Sequence, residues 1–310
     1  MFKIGTLSDW FGKGVIEGIK ESHRCGAAGV QLYAWNEMDP RKLSAELKHA
    51  VKETAVDYNQ EIVALCGELG GHGLSIAADN PGKVDYLKRV ADLAVEFNCH
   101  VLTTHIGIIP SDENSEKYRV MRDACKAAAV YAAERGITIA IETGPEPIAR
   151  LKTFIDNCNT GDNCNAGDKR NGSDKHNTGD SRVAGIGVNY DPANLVMVTR
   201  DDEVAGVRTA GKSIVHTHAK DGIMNHYAGP DVVYELFAQG GIEALSKVSE
   251  WFTETALGKG SVRWIPYLQA LRGIGYNGYL TIEREVKDNA TEDIRAAVSF
   301  LKEILPQIER

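Results

Sequence analysis

The feature that most constrains this chain is an alternation. Eight short apolar runs are separated by longer segments of helical periodicity. The runs are KIGTL (3–7), GVQLY (29–33), IVALCG (62–67), HVLTTHIG (100–107), ITIAIET (137–143), GIGVNYD (185–191), SIVHTHAKD (213–221) and GYLTIERE (278–285). Between them lie stretches such as KVDYLKRVADLAVEF and YRVMRDACKAAAVYAAE, and TEDIRAAVSFLKEIL (291–305) closes the chain. Several helical segments stop at a glycine just before the next run, as in AERGITIAIE, where glycine takes the left-handed cap cheaply. Strand–helix alternation leaves two architectures, an open doubly wound sheet or a closed (β/α)8 barrel. The open sheet gathers its ligand groups at one switch point, typically after a glycine-rich first turn. No G-x-G-x-x-G follows the first run, and polar residues end many of the runs. The expected fold is therefore α/β, a single-domain (β/α)8 TIM barrel over residues 1–310.

Composition narrows the partners. The formal net charge is -8 and the isoelectric point near 5.6, with no basic run. That argues against nucleic acid. No apolar run approaches the roughly 20 residues that span a bilayer, and MFKIGTLSDW lacks the form of a signal peptide. The six cysteines are scattered without a C-x-x-C pair, as expected of reduced thiols in a cytoplasmic protein.

Two spacings are long. An Asn/Gly/Asp-rich insert, 157–183, carries NTGD twice and is expected to be solvated and flexible, on the N-terminal face of the barrel. Its aspartates lack the spacing and terminal glutamate of an EF-hand calcium loop. A second insert, 222–262, follows the seventh run on the opposite face. VYELFAQ and IEALSKVSEWF have helical periodicity there, suiting a lid or an oligomer contact in a dimer or tetramer.

The ends of the later runs carry the chemistry. IAIETGPEP, VNYDPANL, VHTHAKD and LTIERE each pass from buried apolar residues to ionisable ones. In a barrel these ends surround one mouth, so Glu142, Asp191, a histidine of the seventh run and Glu283 can converge. Three close carboxylates repel without a cation. Oxygens with one imidazole suit Mn2+ best, with Mg2+, Co2+ or Zn2+ as alternatives; the thiolates of structural zinc sites are absent. His216 and His218 share a strand face. His218 lies nearer the mouth and is the better ligand, with His216 one layer deeper as support.

At these residues the sequence resembles the xylose-isomerase-like barrel enzymes, the sugar phosphate isomerases/epimerases that include ketose 3-epimerases. ETGPEP, NYDPANL, HTHAKDG, LGKGSVRW and YLTIERE occur in that order. The resemblance implies one divalent metal held by Glu142, Asp191, His218 and Glu283, with the two glutamates also moving the proton. The implied activity is sugar or sugar-phosphate isomerisation or epimerisation. It begins with proton abstraction next to a carbonyl and passes through a metal-stabilised enediolate. Either glutamate could be the base, depending on substrate configuration. One departure stands out. Well-studied ketose epimerases carry a histidine three residues after the sixth-strand aspartate, where this chain has Asn194. That argues against free-ketose epimerisation of that type.

A carbohydrate substrate would meet further candidates. His105 ends the fourth run and could bond a hydroxyl. Glu68 follows the third run. Trp10 and Trp35 follow the first two and could wall a sugar face. Lys220 could bind a phosphate or carboxylate or pair with an acid, and Glu146, Asn194 and His216 complete the set. The nearest alternative is an inosose or keto-sugar dehydratase, which would form the same enolate and then lose a β-hydroxyl. An endonuclease IV-like repair enzyme would need three zinc ions and more strand-end histidines than His105, His216 and His218, with His72 in a loop. A non-catalytic sugar-binding protein would not need four intact ligand candidates. LGKGS (257–261) lacks the spacing of a phosphate loop.

Overall fold

All eight apolar runs form strands, and the strands close on themselves. In the computed structural model, which describes residues 2–144, 146–160, 185–245, 250–285 and 289–308, they are β1 (Lys3–Leu7), β2 (Gly29–Tyr33), β3 (Glu61–Cys66), β4 (Val101–Thr104), β5 (Thr138–Glu142), β6 (Gly185–Tyr190), β7 (Ile214–Ala219) and β10 (Tyr279–Ile282). β1 pairs with both β2 and β10, every neighbour is parallel, and the order β1-β10-β7-β6-β5-β4-β3-β2 is a closed ring. A further pair, β8 (Asp221–Met224) and β9 (Phe252–Thr255), forms an antiparallel ribbon outside it. The helices are α1 (Val15–Cys25), α2 (Ala45–Asp57), α3 (Asn80–Glu96), α4 (Glu116–Ala133), α5 (Ile148–Asn159), α6 (Pro192–Asn194), α7 (Glu203–Ala210), α8 (Pro230–Leu245), α9 (Trp264–Gly273) and α10 (Ala290–Ile308).

Local chemistry explains the helix limits and faces. Ser44 and Ser115 cap α2 and α4, their hydroxyls accepting from the Leu47 and Tyr118 amides. Gly26 ends α1 in the left-handed conformation, at φ 84. On α10, Ile294, Ala297, Val298, Leu301, Ile304 and Ile308 are all buried, the spacing of one helical face against a barrel. None of the described helices is long and apolar enough to cross a membrane.

Two irregularities re-aim inward side chains. The register slips between Val30 and Gln31, where β2 meets β3, and between Val188 and Asn189, where β6 meets β7. Such slips occur beside active sites because they redirect a side chain without breaking the sheet. Here they bring Gln31 and Asn189 against the β7 histidines.

The 222–262 segment is only partly helical. It holds α8, but its ends are the β8–β9 ribbon, and Phe252, the last residue of the expected helix, opens β9. β-Branched and aromatic residues in FTET pair well across an antiparallel ribbon, which overrides the short helical period. The 157–183 insert lies outside the described residues from 161 onward; Asn157, Cys158 and Asn159 form the last turn of α5, with Cys158 buried.

The LGKGSVRW motif finds its role beside the ribbon. Buried Asp221 accepts five hydrogen bonds, from the amides of Gly222, Gly258, Gly260 and Val262 and from Trp264 Nε1. A Cβ at Gly260 would lie 2.1 Å from Asp221 Oδ1 and 2.5 Å from the Gly222 nitrogen. Neither atom can yield without breaking this network. Gly260→Ala is therefore expected to cost about 3 kcal/mol, and urea unfolding reads it directly.

Candidate active site

Each ligand candidate is placed by its strand. Glu142 is the last residue of β5, in register with Asn189 on β6. Asp191 follows β6 and caps α6: its Oδ1 accepts from the amides of Ala193 and Asn194 at 2.7 and 3.2 Å. His218 lies on β7 and Glu283 follows β10. One donor atom from each of the four lies within 4.8 Å of the others, and all four residues are buried. His218 Nδ1 is 3.4 Å from Glu142 Oε1, 3.2 Å from Glu283 Oε2 and 4.0 Å from Asp191 Oδ2.

The donor set fits a divalent cation. His218 Nδ1 and Asp191 Oδ2 are buried without a hydrogen-bond partner, a costly state for polar atoms. Both belong to the cluster, and ligand atoms about 2–2.4 Å from one centre would show such spacings. The far side of the His218 ring supports the same reading. Its Nε2 is 3.2 Å from Gln31 Oε1, which also accepts from His216 Nε2 at 2.9 Å. The Gln31 amide donates to Thr103 Oγ1, which turns its oxygen toward the two rings. A cation that displaced the Nδ1 proton would meet the Nδ1 lone pair among the carboxylates, while Nε2 kept its proton for Gln31. Gln31→Met is expected to weaken metal binding 10- to 100-fold, which calorimetric titration with Mn2+ measures.

The two glutamates have separate supports. Glu142 accepts from Asn189 Nδ2 (3.1 Å) and Asn194 Nδ2 (3.2 Å), and lies 3.6 Å from His105 Nε2. His105 Nδ1 in turn meets Glu68 Oε2 at 2.8 Å. Glu283 meets Lys220 Nζ at 3.3 Å, and Lys220 meets Glu285 at 2.9 Å and Glu254 at 3.9 Å. Each glutamate thus has a cation behind it and another carboxylate behind the cation.

Electrostatics follows this layout. Burial disfavours the charged Glu142 carboxylate, but His218 and His105 overcome it and hold the group well below the usual range. Burial acts on Glu283 likewise, and Lys220 and His218 pull it down to about 2. Asp191 is pushed up to about 7 by burial and by the charges of Glu142 and Glu283. Burial lowers the His218 imidazole, yet Glu142 and Glu283 raise it to about 10. His216, buried and next to His218, falls to about 3 and stays neutral.

The other candidates divide. His105, Glu68, Asn194, Lys220 and His216 all stand around the cluster. Lys220 pairs with acids, one of the two roles its position allowed. Trp10 and Trp35 both pack on Tyr33: Trp35 stacks on it at 4.5 Å and Trp10 meets it edge-on at 6.5 Å. Asp9 fixes Trp35 through Nε1 at 2.9 Å. Glu146 accepts from the Ile109 amide at 3.2 Å and is buried.

Burial pushes the Glu146 carboxyl up to about 8, against an ordinary 4.5. A raised folded value means that stability is full below the ordinary value and is lost as pH rises through about 8. Glu146→Gln keeps an acceptor for Ile109 and removes the charge. Its melting temperature should match the parent's near pH 4 and exceed it by several degrees at pH 9, as differential scanning calorimetry would show.

Four contributors escape a reading of the sequence alone. Gln31 and Asn189 were legible only as polar residues inside apolar runs. Tyr234 and Phe237, on α8, give no sequence signal beyond helical period. The Tyr234 hydroxyl lies so close to Gly144 that a Cβ there would be 2.1 Å away. Phe237 sits 6.1 Å from Tyr234 and 6.2 Å from His105 between ring centroids, so α8 overhangs the mouth.

A closed eight-stranded parallel barrel with a buried three-carboxylate, one-imidazole centre at its C-terminal mouth defines a class of barrel proteins. The family model described as "Xylose isomerase-like TIM barrel" matches residues 19–304, and the chain belongs to that family. Among solved structures, the xylose isomerase domain protein from Planctomyces limnophilus is similar at TM-score 0.74 and 23% identity, covering 99% of this chain and 98% of that one. The probable 3-DHS dehydratase AsbF from Bacillus anthracis gives 0.71 and 16%, covering 97% and 99%. A D-psicose 3-epimerase gives 0.66 and 16%, covering 98% and 99%. At these identities the likeness is one of fold. No curated protein sequence matches.

Proposed function

We propose that this chain is a divalent-metal-dependent sugar isomerase or epimerase that works by moving a proton next to a carbonyl. The observation that carries the reading is the placement of Glu142 and Glu283 around one set of unpartnered ligand atoms. β5 and β10 stand three places apart in the ring of eight, so the two carboxylates reach the centre from different sides. The residues that would hold the metal are Glu142, Asp191, His218 and Glu283, and Mn2+ suits this oxygen-rich set. When bound, such an ion would offset the negative charge that develops on the substrate oxygens.

The chain's own groups do the rest. Glu142 and Glu283 are both held as carboxylates, so either can accept the proton. Asn189 and Asn194 fix the Glu142 oxygens, and Lys220 fixes those of Glu283. His105 is raised well above its ordinary value: burial lowers it, and Glu142 and Glu68 more than offset that. It can therefore donate a hydrogen bond to a substrate oxygen. α8 overhangs His105, a position from which it could shield the reacting carbon from water.

The similar structure named a probable dehydratase favours a second reading, loss of a β-hydroxyl after the same proton abstraction. The test is incubation in D2O with Mn2+ and a panel of ketoses, keto-glycosides and inososes, followed by NMR and mass spectrometry. Metal-dependent deuterium beside the carbonyl, in a product of otherwise unchanged mass, supports the isomerase or epimerase. Loss of water identifies the dehydratase. No exchange on any member rejects enolisation.

A further inference from the structure

One polar group over the mouth is committed to nothing in the protein. Tyr234 comes from α8, and its hydroxyl packs against Gly144 in the ETGPEP segment after β5. A Cβ at Gly144 would lie 2.1 Å from that hydroxyl and 3.2 Å from Asn194 Cβ, so the phenol and Asn194 stand side by side. Asn194 in turn holds Glu142 Oε1. A single side chain therefore separates the hydroxyl from the ligand cluster. The charges that act on the phenol are those of Glu142, Glu146, Lys220 and Asp191, which come from the ends of β5, β6 and β7.

Packing holds the phenol in this place. Val233, beside it on α8, is buried, and Phe237, one turn on, lies between the Tyr234 ring and His105. α8 leaves and rejoins the β8–β9 ribbon at one point, where the Asn225 and His226 amides both bond the Trp251 carbonyl. Gly144 completes the fit. Its φ of 149 is unfavourable for any other residue, and a side chain there would take the space of the hydroxyl.

The hydroxyl has no acceptor in the protein. Tyr234 makes no hydrogen bond among the described residues, although a phenol withdrawn from bulk water normally finds a partner. The acceptors close by are occupied by other donors. Asn194 Nδ2 donates to Glu142 Oε1 at 3.2 Å and to the Thr143 carbonyl at 3.0 Å, and Glu146 Oε2 accepts from the Ile109 amide. Burial and the charges of Glu142 and Glu146 push the phenol well above its ordinary value, so it is a neutral donor. An anion at this point would stand against Glu142, which is held as a carboxylate. The partner that fits is an uncharged oxygen of a molecule in the mouth.

We propose that Tyr234 is a substrate-binding residue whose hydroxyl donates to a hydroxyl or carbonyl oxygen of the substrate, on the Glu142 side of the mouth. This rests on the proposed function for the metal centre and adds to it a residue delivered from outside the barrel strands. Loss of the hydroxyl weakens the grip on the substrate's oxygens and spares the metal.

Calorimetry on the Mn2+-loaded protein tests it with hydroxamates, which chelate a divalent ion through two oxygens. Acetohydroxamate has no hydroxyl on carbon. D-Threonohydroxamate and D-erythronohydroxamate carry a chain of hydroxyls, in opposite configuration at one carbon. In the parent, the tighter of these two should bind at least about tenfold more tightly than acetohydroxamate. In Tyr234→Phe that ratio should fall by about five- to tenfold, with the affinities for acetohydroxamate and Mn2+ unchanged. A packing role would leave the ratio alone, because phenylalanine keeps the ring. Tyr234→Met gives the same reading if Tyr234→Phe fails to fold, with circular dichroism as the check. An unchanged ratio in a folded variant overturns the proposal. So does a ratio near one in the parent, or an equal loss for acetohydroxamate, which would place the effect at the metal. The two readings fail differently. If acetohydroxamate does not bind the Mn2+-loaded parent, the metal centre is rejected and the role of Tyr234 with it. If it binds and the ratio survives in Tyr234→Phe, the role of Tyr234 alone is rejected.

Discussion

Glu283→Gln is expected to lower interconversion of the substrate's two forms by at least about 10³-fold, the scale of a lost general acid or base. The reason is geometric. The carboxylate sits 3.2 Å from His218 Nδ1 and is held as a charged group by Lys220. Glutamine keeps an oxygen for a cation but cannot take a proton. Glu142→Gln should act equally strongly from the other side. If the enzyme is an epimerase, a sharper pattern follows. Each variant should still exchange deuterium into one epimer, the one whose proton faces the remaining glutamate, and into that one only. Plasma emission spectroscopy of bound metal in each variant separates lost chemistry from a lost ion. Interconversion within tenfold of the parent, at equal metal content, would remove Glu283 from the role assigned to it.

Metal removal should have the other large effect. Three carboxylates and one imidazole are confined within 4.8 Å, with two atoms unpartnered. Such a cluster is held at a cost that a cation relieves. At a Mn2+ concentration about 100 times the dissociation constant, binding adds about 2.7 kcal/mol. In a chain of 310 residues that corresponds to a rise in melting temperature of roughly 4 °C over the chelator-treated protein. Asp191→Asn removes one negative charge while sparing the cap on α6, where an amide oxygen can still accept from Ala193 and Asn194. This variant should melt higher than the parent without metal and gain little when Mn2+ is added. A full metal response in Asp191→Asn would show that the ion, if it binds, does so elsewhere. The expected exchange of stability for binding is what like charges gathered for function produce.

Much of this protein was legible before any coordinates. Eight apolar runs with glycine stops dictate a parallel α/β fold, because each run can be buried only by its neighbours and by the helices that follow. The alternation of apolar approach and polar end named Glu142, Asp191, His218 and Glu283, because barrel strands deliver their last residues to one mouth. Other features came only from the closed structure. Gln31 and Asn189 act through register slips, and a slip depends on how two distant strands pair, which no local pattern encodes. The pairing of Lys220 with Glu283, Glu285 and Glu254 depends on β7, β10 and the ribbon meeting in space. FTET became a strand because it found a partner in Asp221–Met224, over its helical period. α8 hangs above His105 by long-range packing alone, and so its place over the mouth had no sequence signature. Periodicity reports which face of an element is buried; only the tertiary structure decides what that face is buried against.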